Sequence, residues 1–144
     1  MRGFIIAALV LGTPFGVGSV ALAQERTPSP AGAEVYIISP KDGAIVHSPV
    51  LVQFGLKGMG IAPAGVKYDN TGHHHVLIDT DPPADLSVPL PATDKNVHFG
   101  KGQTETTLNL SPGKHTLQLL FADANHIPHS PPLLSKKITI TVKP

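Results

Sequence analysis

Residues 104–122 read T-E-T-T-L-N-L-S-P-G-K-H-T-L-Q-L-L-F-A. Leu117, Leu119 and Phe121 recur every second residue, the period of a strand with one buried face. The S-P-G at 111–113 is a tight turn, because proline fixes φ and glycine tolerates the return. Two short strands joined by a turn are therefore written here without any helical period. The same reading extends in both directions. Lys136–Val142 (K-K-I-T-I-T-V) alternates cleanly, and Val50, Val52, Phe54 and Leu56 share one face of a strand over Val50–Leu56. Glu34–Ser39 and His73–Asp79 complete the stronger strand signals. With 15 prolines and 14 glycines in 144 residues, turns are frequent and a helical bundle is excluded. Residues 81–96 and 123–134 are Pro-rich and read as surface connections, the first with room for a short edge strand.

Residues 1–23 form a separate unit. Arg2 is followed by an apolar stretch over Phe4–Val20 and then by Ala21-Leu22-Ala23. That is the layout of a secretory signal peptide with a small-x-small cleavage site, so the mature chain begins at Gln24 and is exported, periplasmic or secreted, with no membrane span left after cleavage. Residues 24–33 (Q-E-R-T-P-S-P-A-G-A) read as an extended, flexible lead-in. The folded domain is expected over 34–143.

Composition narrows the chemistry. The chain has no cysteine, which removes disulfides, thiolate metal sites and cysteine nucleophiles. The formal net charge is +1 and no basic run exists, so nucleic acid is not expected as a partner. No nucleophile elbow, H-E-x-x-H, P-loop or dinucleotide turn is present, and the expectation is a non-enzyme. Removal of residues 1–23 takes away Arg2 and no acid, while all eight histidines remain. Imidazole is then the main group titrating near neutral pH.

Six or seven short strands at this spacing fit an immunoglobulin-like antiparallel β-sandwich of about seven strands. The stretch P-K-D-G-A-I-V-H-S-P-V-L-V-Q-F (40–54) resembles the A-to-B passage of exported bacterial Ig-like modules, small periplasmic copper carriers among them. L-x-L-S-P-G-K-H-T-L (108–117) resembles the E–F corner of such domains, where a tyrosine bonds back to upstream backbone; His115 holds that place here.

The sandwich topology predicts where the histidines fall. His73, His74 and His75 open one strand, His98 precedes another, and His126 and His129 follow a third. All six are expected at one end of the sandwich, with His47 and His115 at the other. His73 and His75 share a strand face, with Cα atoms about 6.6 Å apart, and His74 points to the opposite face. Neutral imidazole suits copper, zinc and nickel. The expected metal set is therefore His73, His75, His98, His126 and His129, with copper first and zinc as the alternative. Asp79 and Asp123 are candidate oxygen ligands or ring-orienting acceptors, and Met59 is a candidate thioether. The competing expectation is a protein- or glycan-binding surface formed by the His-rich loops with Tyr68, Asn70 and Gln103, in which the histidines are structural. A further exported protein is a possible partner for either activity.

The segments G-M-G-I-A-P-A-G-V (58–66), N-T-G-H-H-H-V-L-I-D-T-D (70–81), H-F-G-K-G-Q-T-E-T (98–106), P-G-K-H-T-L-Q-L (112–119) and N-H-I-P-H-S-P-P (125–132) together resemble one family of small exported bacterial domains of unknown function. The resemblance covers about residues 34–143. It implies a domain boundary and brings no reaction or ligand with it.

Overall fold

The computed structural model describes residues 25–144; the expected signal peptide lies outside them. The described chain is all β. Its ten strands are β1 (Glu34–Ser39), β2 (Ile45–His47), β3 (Val50–Lys57), β4 (Gly60–Ile61), β5 (Thr71–Ile78), β6 (Asn96–Phe99), β7 (Glu105–Leu108), β8 (Gly113–Ala122), β9 (Pro128–Leu134) and β10 (Ile138–Lys143). They form two sheets. The smaller has the order β1-β3-β7, with antiparallel pairing throughout. The larger has the order β2-β10-β8-β5-β4, with β6 paired to β5 and β9 to β8.

The apolar period closes the sandwich. Val35, Val50, Val52, Phe54 and Leu108 from the small sheet meet Val76, Ile78, Leu117, Leu119, Phe121, Ile138, Ile140 and Val142 from the large one. Burying an aliphatic side chain of this size contributes about 1.5–3 kcal/mol, and the two-residue period places every one of these on an inner face.

Three parts of the chain differ from the sequence expectation. The count is ten strands rather than about seven, because short segments cross between sheets: β1 pairs with β3, whereas β2, only six residues on, pairs in parallel with β10 in the other sheet. Second, the Pro-rich connection after β8 contains β9. Three prolines hide it from a propensity reading, but β9 pairs with only one strand, β8, and loses little by lacking those N–H groups. Third, the lead-in is extended but pinned. The Ser29 amide donates to the Ser130 carbonyl (3.0 Å) and the Ser130 amide to the Thr27 carbonyl (2.9 Å), so residues 27–29 run beside β9. The free edge of β9 offers backbone partners that composition alone does not reveal.

At the far end of the sandwich, His115 lies between two acceptors. Its Nε2 faces the Ser111 carbonyl at 2.8 Å and its Nδ1 faces the Asp79 carboxylate at 2.7 Å. Asp79 also accepts the Thr116 amide at 2.8 Å. This bond from His115 to backbone four residues upstream is the one expected of the corner position. Hydrogen bonding to Asp79 raises the His115 pKa above its usual value, with burial opposing.

Two outcomes follow from this architecture. Leu119→Ala, a fully buried site, is expected to cost about 2–5 kcal/mol in urea unfolding. The raised His115 pKa means that its contribution is complete below the unfolded value near 6.5 and is lost as pH rises through the folded value. The stability gap between wild type and Asp79→Asn, read from urea melts, should therefore be larger at pH 5.5 than at pH 9.

Candidate metal centre

The run His73-His74-His75 lies entirely within β5 and is fully buried. Strand alternation divides it. His74, Val76 and Ile78 face the inter-sheet core, and the His74 ring packs between Phe54 and Phe121, each with centroids 5.0 Å away. His73, His75 and Leu77 face outward. That outer face is not open to solvent. Leu77 joins Leu120, Ala122, Leu90 and partly buried Leu86 in a second, smaller apolar cluster. Leu86 and Leu90 belong to the 81–95 connection, which therefore folds over the large sheet.

Two further imidazoles reach this covered face. His98 of β6 is paired directly opposite His75 in the antiparallel register. Its ring fits because the next residue but one is glycine: a Cβ on Gly100 would lie 2.2 Å from the His98 ring. His126 arrives from the turn after β8 with φ of 66°. The Leu90 amide donates to the His126 carbonyl at 2.8 Å, tying that turn to the covering connection.

The result is a ring of four imidazoles. Centroid separations are 4.9 Å for His73–His98, 5.0 Å for His73–His126, 4.8 Å for His98–His126, and 5.2 and 5.0 Å from His75 to His73 and His98. His73, His98 and His126 each offer a nitrogen within 4.8 Å of the others. The His73 and His75 Nε2 atoms are 3.3 Å apart. His75 Nδ1 lies 3.1 Å from the Asn96 Oδ1. A carbonyl oxygen only accepts, so Nδ1 carries the proton and Nε2 presents its lone pair to the cluster. Among the described residues, His73 Nδ1 and His98 Nε2 are buried without a hydrogen-bond partner. Both ring nitrogens of His74 and of His129 share that state, so the convergence of rings, and not the missing partner alone, sets this face apart.

Burial sets the protonation of the cluster. It pushes His75 down to about 3 and His73 to about 4, with neighbouring imidazoles adding to the effect and the Asp123 carboxylate opposing it at His73. His98 is lowered for the same two reasons, burial first and then His126. These three rings, His73, His75 and His98, are neutral at physiological pH, the state in which imidazole ligates a metal.

Of the five histidines expected as ligands, four come together and His129 does not. His129 is fully buried and stacks on Phe121 at 5.8 Å, on the inner side of the sheet. Its ring lies 3.0 Å from the position a Gly72 Cβ would occupy. Backbone of Thr71 and Phe121 approaches it without completing a hydrogen bond. The six histidines thus share one end of the sandwich but divide between the two faces of one sheet. His47 is exposed. Met59 packs against the inter-sheet core, and Asp79 is engaged with His115. Asp123 is buried beside His73 and organises the turn that carries His126. Tyr68 and Asn70 line a groove of about 450 Å³ with Thr27, Lys67, Asp123 and Asn125; Gln103 is not part of it.

Asn96 is the functional residue that the sequence reading misses. The H-F-G spelling at 98–100 carried a signal for the glycine, since a ring beside an i+2 glycine has space for close approach. Asn96 had no such mark.

Residues 52–143 match the family described as Domain of unknown function (DUF4399). The chain belongs to this family. No curated protein and no solved structure matches the chain. The matched segment of this DUF4399 domain contains all four clustered histidines together with Asn96, Gly100 and Asp123. Among the described residues no helix is long and apolar enough to cross a membrane.

The depressed histidines fix the direction of acid sensitivity. Unfolded chain binds protons near pH 6.5, whereas His73, His74 and His75 in the fold resist them down to about 4, 4 and 3. Stability is therefore full above pH 6.5 and falls as pH drops through that window. With His98 and His129 lowered as well, an acid-unfolding titration should show uptake of at least three protons, roughly 4 kcal/mol per pH unit or more at the steepest point. His74→Phe should reduce that uptake by one.

Proposed function

We propose that this protein is an exported metal-binding protein that holds one first-row transition-metal ion among His73, His75, His98 and His126 as a carrier or buffer. The observation that carries this reading is the convergence of four imidazoles from three elements on one covered face, with His73 Nδ1 and His98 Nε2 buried and without partners. Desolvating such nitrogens costs about 1–3 kcal/mol each, and an ion that accepts their lone pairs offsets that cost.

The donor set restricts the ion. Nitrogen-only ligands without thiolate suit copper and zinc, and disfavour calcium and magnesium, which take oxygen. The spacing adds a preference. Metal–nitrogen bonds of about 2.0–2.1 Å place tetrahedral ligands about 3.3–3.4 Å apart, which matches the 3.3 Å between His73 and His75. A square-planar ion would need about 2.9 Å between neighbouring ligands. Tetrahedral zinc and copper without a square-planar preference both fit, so copper and zinc remain the two ions to test. His98 and His126, the half-buried pair, close inward by small ring rotations and form the solvent side through which an ion enters.

Export is supported by the leader pattern at 1–23, and the absence of cysteine suits a site that does not depend on thiol redox state.

Metal-free, tag-free protein titrated with Zn(II) and with Cu(II) should take up one equivalent with sub-micromolar affinity. The melting temperature should rise with free metal, by the equivalent of about 2.7 kcal/mol at a hundred times Kd. His126→Ala should weaken binding about 100-fold, leaving a measurable three-imidazole site, while His129→Leu and His47→Ala should keep the wild-type affinity. Uptake of neither ion, or equal loss in all three variants, would sink the reading.

A further inference from the structure

His126 is the one cluster member that is not held by a sheet. It sits in a left-handed conformation, disfavoured for a residue with a side chain, so something must fix it. Asp123 does so. Its Oδ1 accepts the amides of Asn125 (2.9 Å) and Ile127 (3.0 Å), the residues on either side of His126. The backbone completes the turn, with the His126 amide donating to the Asp123 carbonyl and the Asp123 amide to the Ile127 carbonyl, both at 2.9 Å.

The other carboxylate oxygen is held from a distant part of the chain. The Thr27 hydroxyl donates to Asp123 Oδ2 at 2.6 Å, across 96 positions of sequence. Thr27 is in turn fixed by the backbone pairing of residues 27–29 with Ser130, by Arg26 Nε donating to the Pro128 carbonyl at 3.0 Å, and by a second guanidinium contact to the His129 carbonyl. The segment just after the expected leader thus grips both the carboxylate that shapes the His126 turn and the strand that follows it.

Resting on the metal-binding reading above, we infer that residues 26–29 are a strap that positions His126 for the ion, with Thr27 and Asp123 as positioning residues. Thr27 orients the carboxylate, the carboxylate holds the two amides, and the amides set the backbone from which the His126 ring projects. An undocked strap leaves three imidazoles in place and the fourth free to swing away. Metal affinity is therefore coupled to the docking of the amino-terminal segment, and a partner or cleavage event that removes residues 26–29 would loosen the ion.

The test is Zn(II) affinity by chelator competition on wild type, Thr27→Val, Thr27→Ser, His126→Ala and the Thr27→Val/His126→Ala double variant. Thr27→Val changes no charge and keeps the shape of the side chain. It is expected to weaken binding about 10-fold or more, the usual range for losing a group that orients a ligand. Thr27→Ser should restore affinity, because only the hydroxyl is needed. In the His126→Ala background Thr27→Val should have no further effect. The melting temperature of each metal-free variant checks that the fold survives; if Thr27→Val does not fold, Arg26→Ala carries the test and should weaken binding in the same direction. Wild-type affinity in Thr27→Val, or an equal loss with and without His126, overturns the strap while leaving the metal site standing. Wild-type protein that binds neither zinc nor copper overturns the site and the strap together.

Discussion

Everything distinctive in this protein depends on the two-residue alternation of β5. A strand buried on both faces must satisfy two environments with one run of residues. Three consecutive histidines placed there are separated by geometry alone: His74 into an aromatic niche between Phe54 and Phe121, His73 and His75 onto the outer face. A shift of one residue in register would exchange the two sets and dissolve the cluster. The pairing with β8, continuous from His73 opposite Ala122 to Ile78 opposite Leu117, holds that register in place.

The outer face gains its character from what covers it. Leu77, Leu90, Leu120 and Ala122 form a small apolar patch directly continuous with the imidazoles. It excludes water from His73 and His75, which is why burial is the leading cause of their lowered pKa values. A surface pair of histidines at the same spacing would be protonated and solvated over much of the acidic range. Here the same side chains are kept neutral, with His75 held in one tautomer by Asn96. The fold bears a cost for this in unpartnered nitrogens, at His73 and His98 in the cluster and at His74 and His129 on the other face of the sheet. The carboxylate of Asp123 stands beside the cluster as its nearest counter-charge and anchors the turn that closes it.

Much of the fold was legible in the residues. The strands at 34–39, 50–57, 71–78, 113–122 and 138–143 carry the period of two plainly, since each buries at least one apolar face. β9 was not legible, because P-H-S-P-P-L-L violates strand propensity and is tolerated only at an edge. The docked lead-in was missed for a related reason: its partner is backbone, and backbone pairing leaves no side-chain signature. Of the site, His73, His75, His98 and His126 were readable as imidazoles converging from three strand ends. Its place in the loop groups His129 with them in sequence, yet β9 turns it inward against Phe121.

The sequence by itself determined the all-β class, the imidazole-only donor set and the separation of His74 from His73 and His75, because composition and alternation are local properties of the chain. Only the tertiary structure decided which histidines meet. That choice rests on the register of β6 against β5, on the covering 81–95 connection, and on the grip of Thr27 on the Asp123 carboxylate that holds the left-handed turn, each a contact between segments well separated in sequence whose pairing no local pattern encodes.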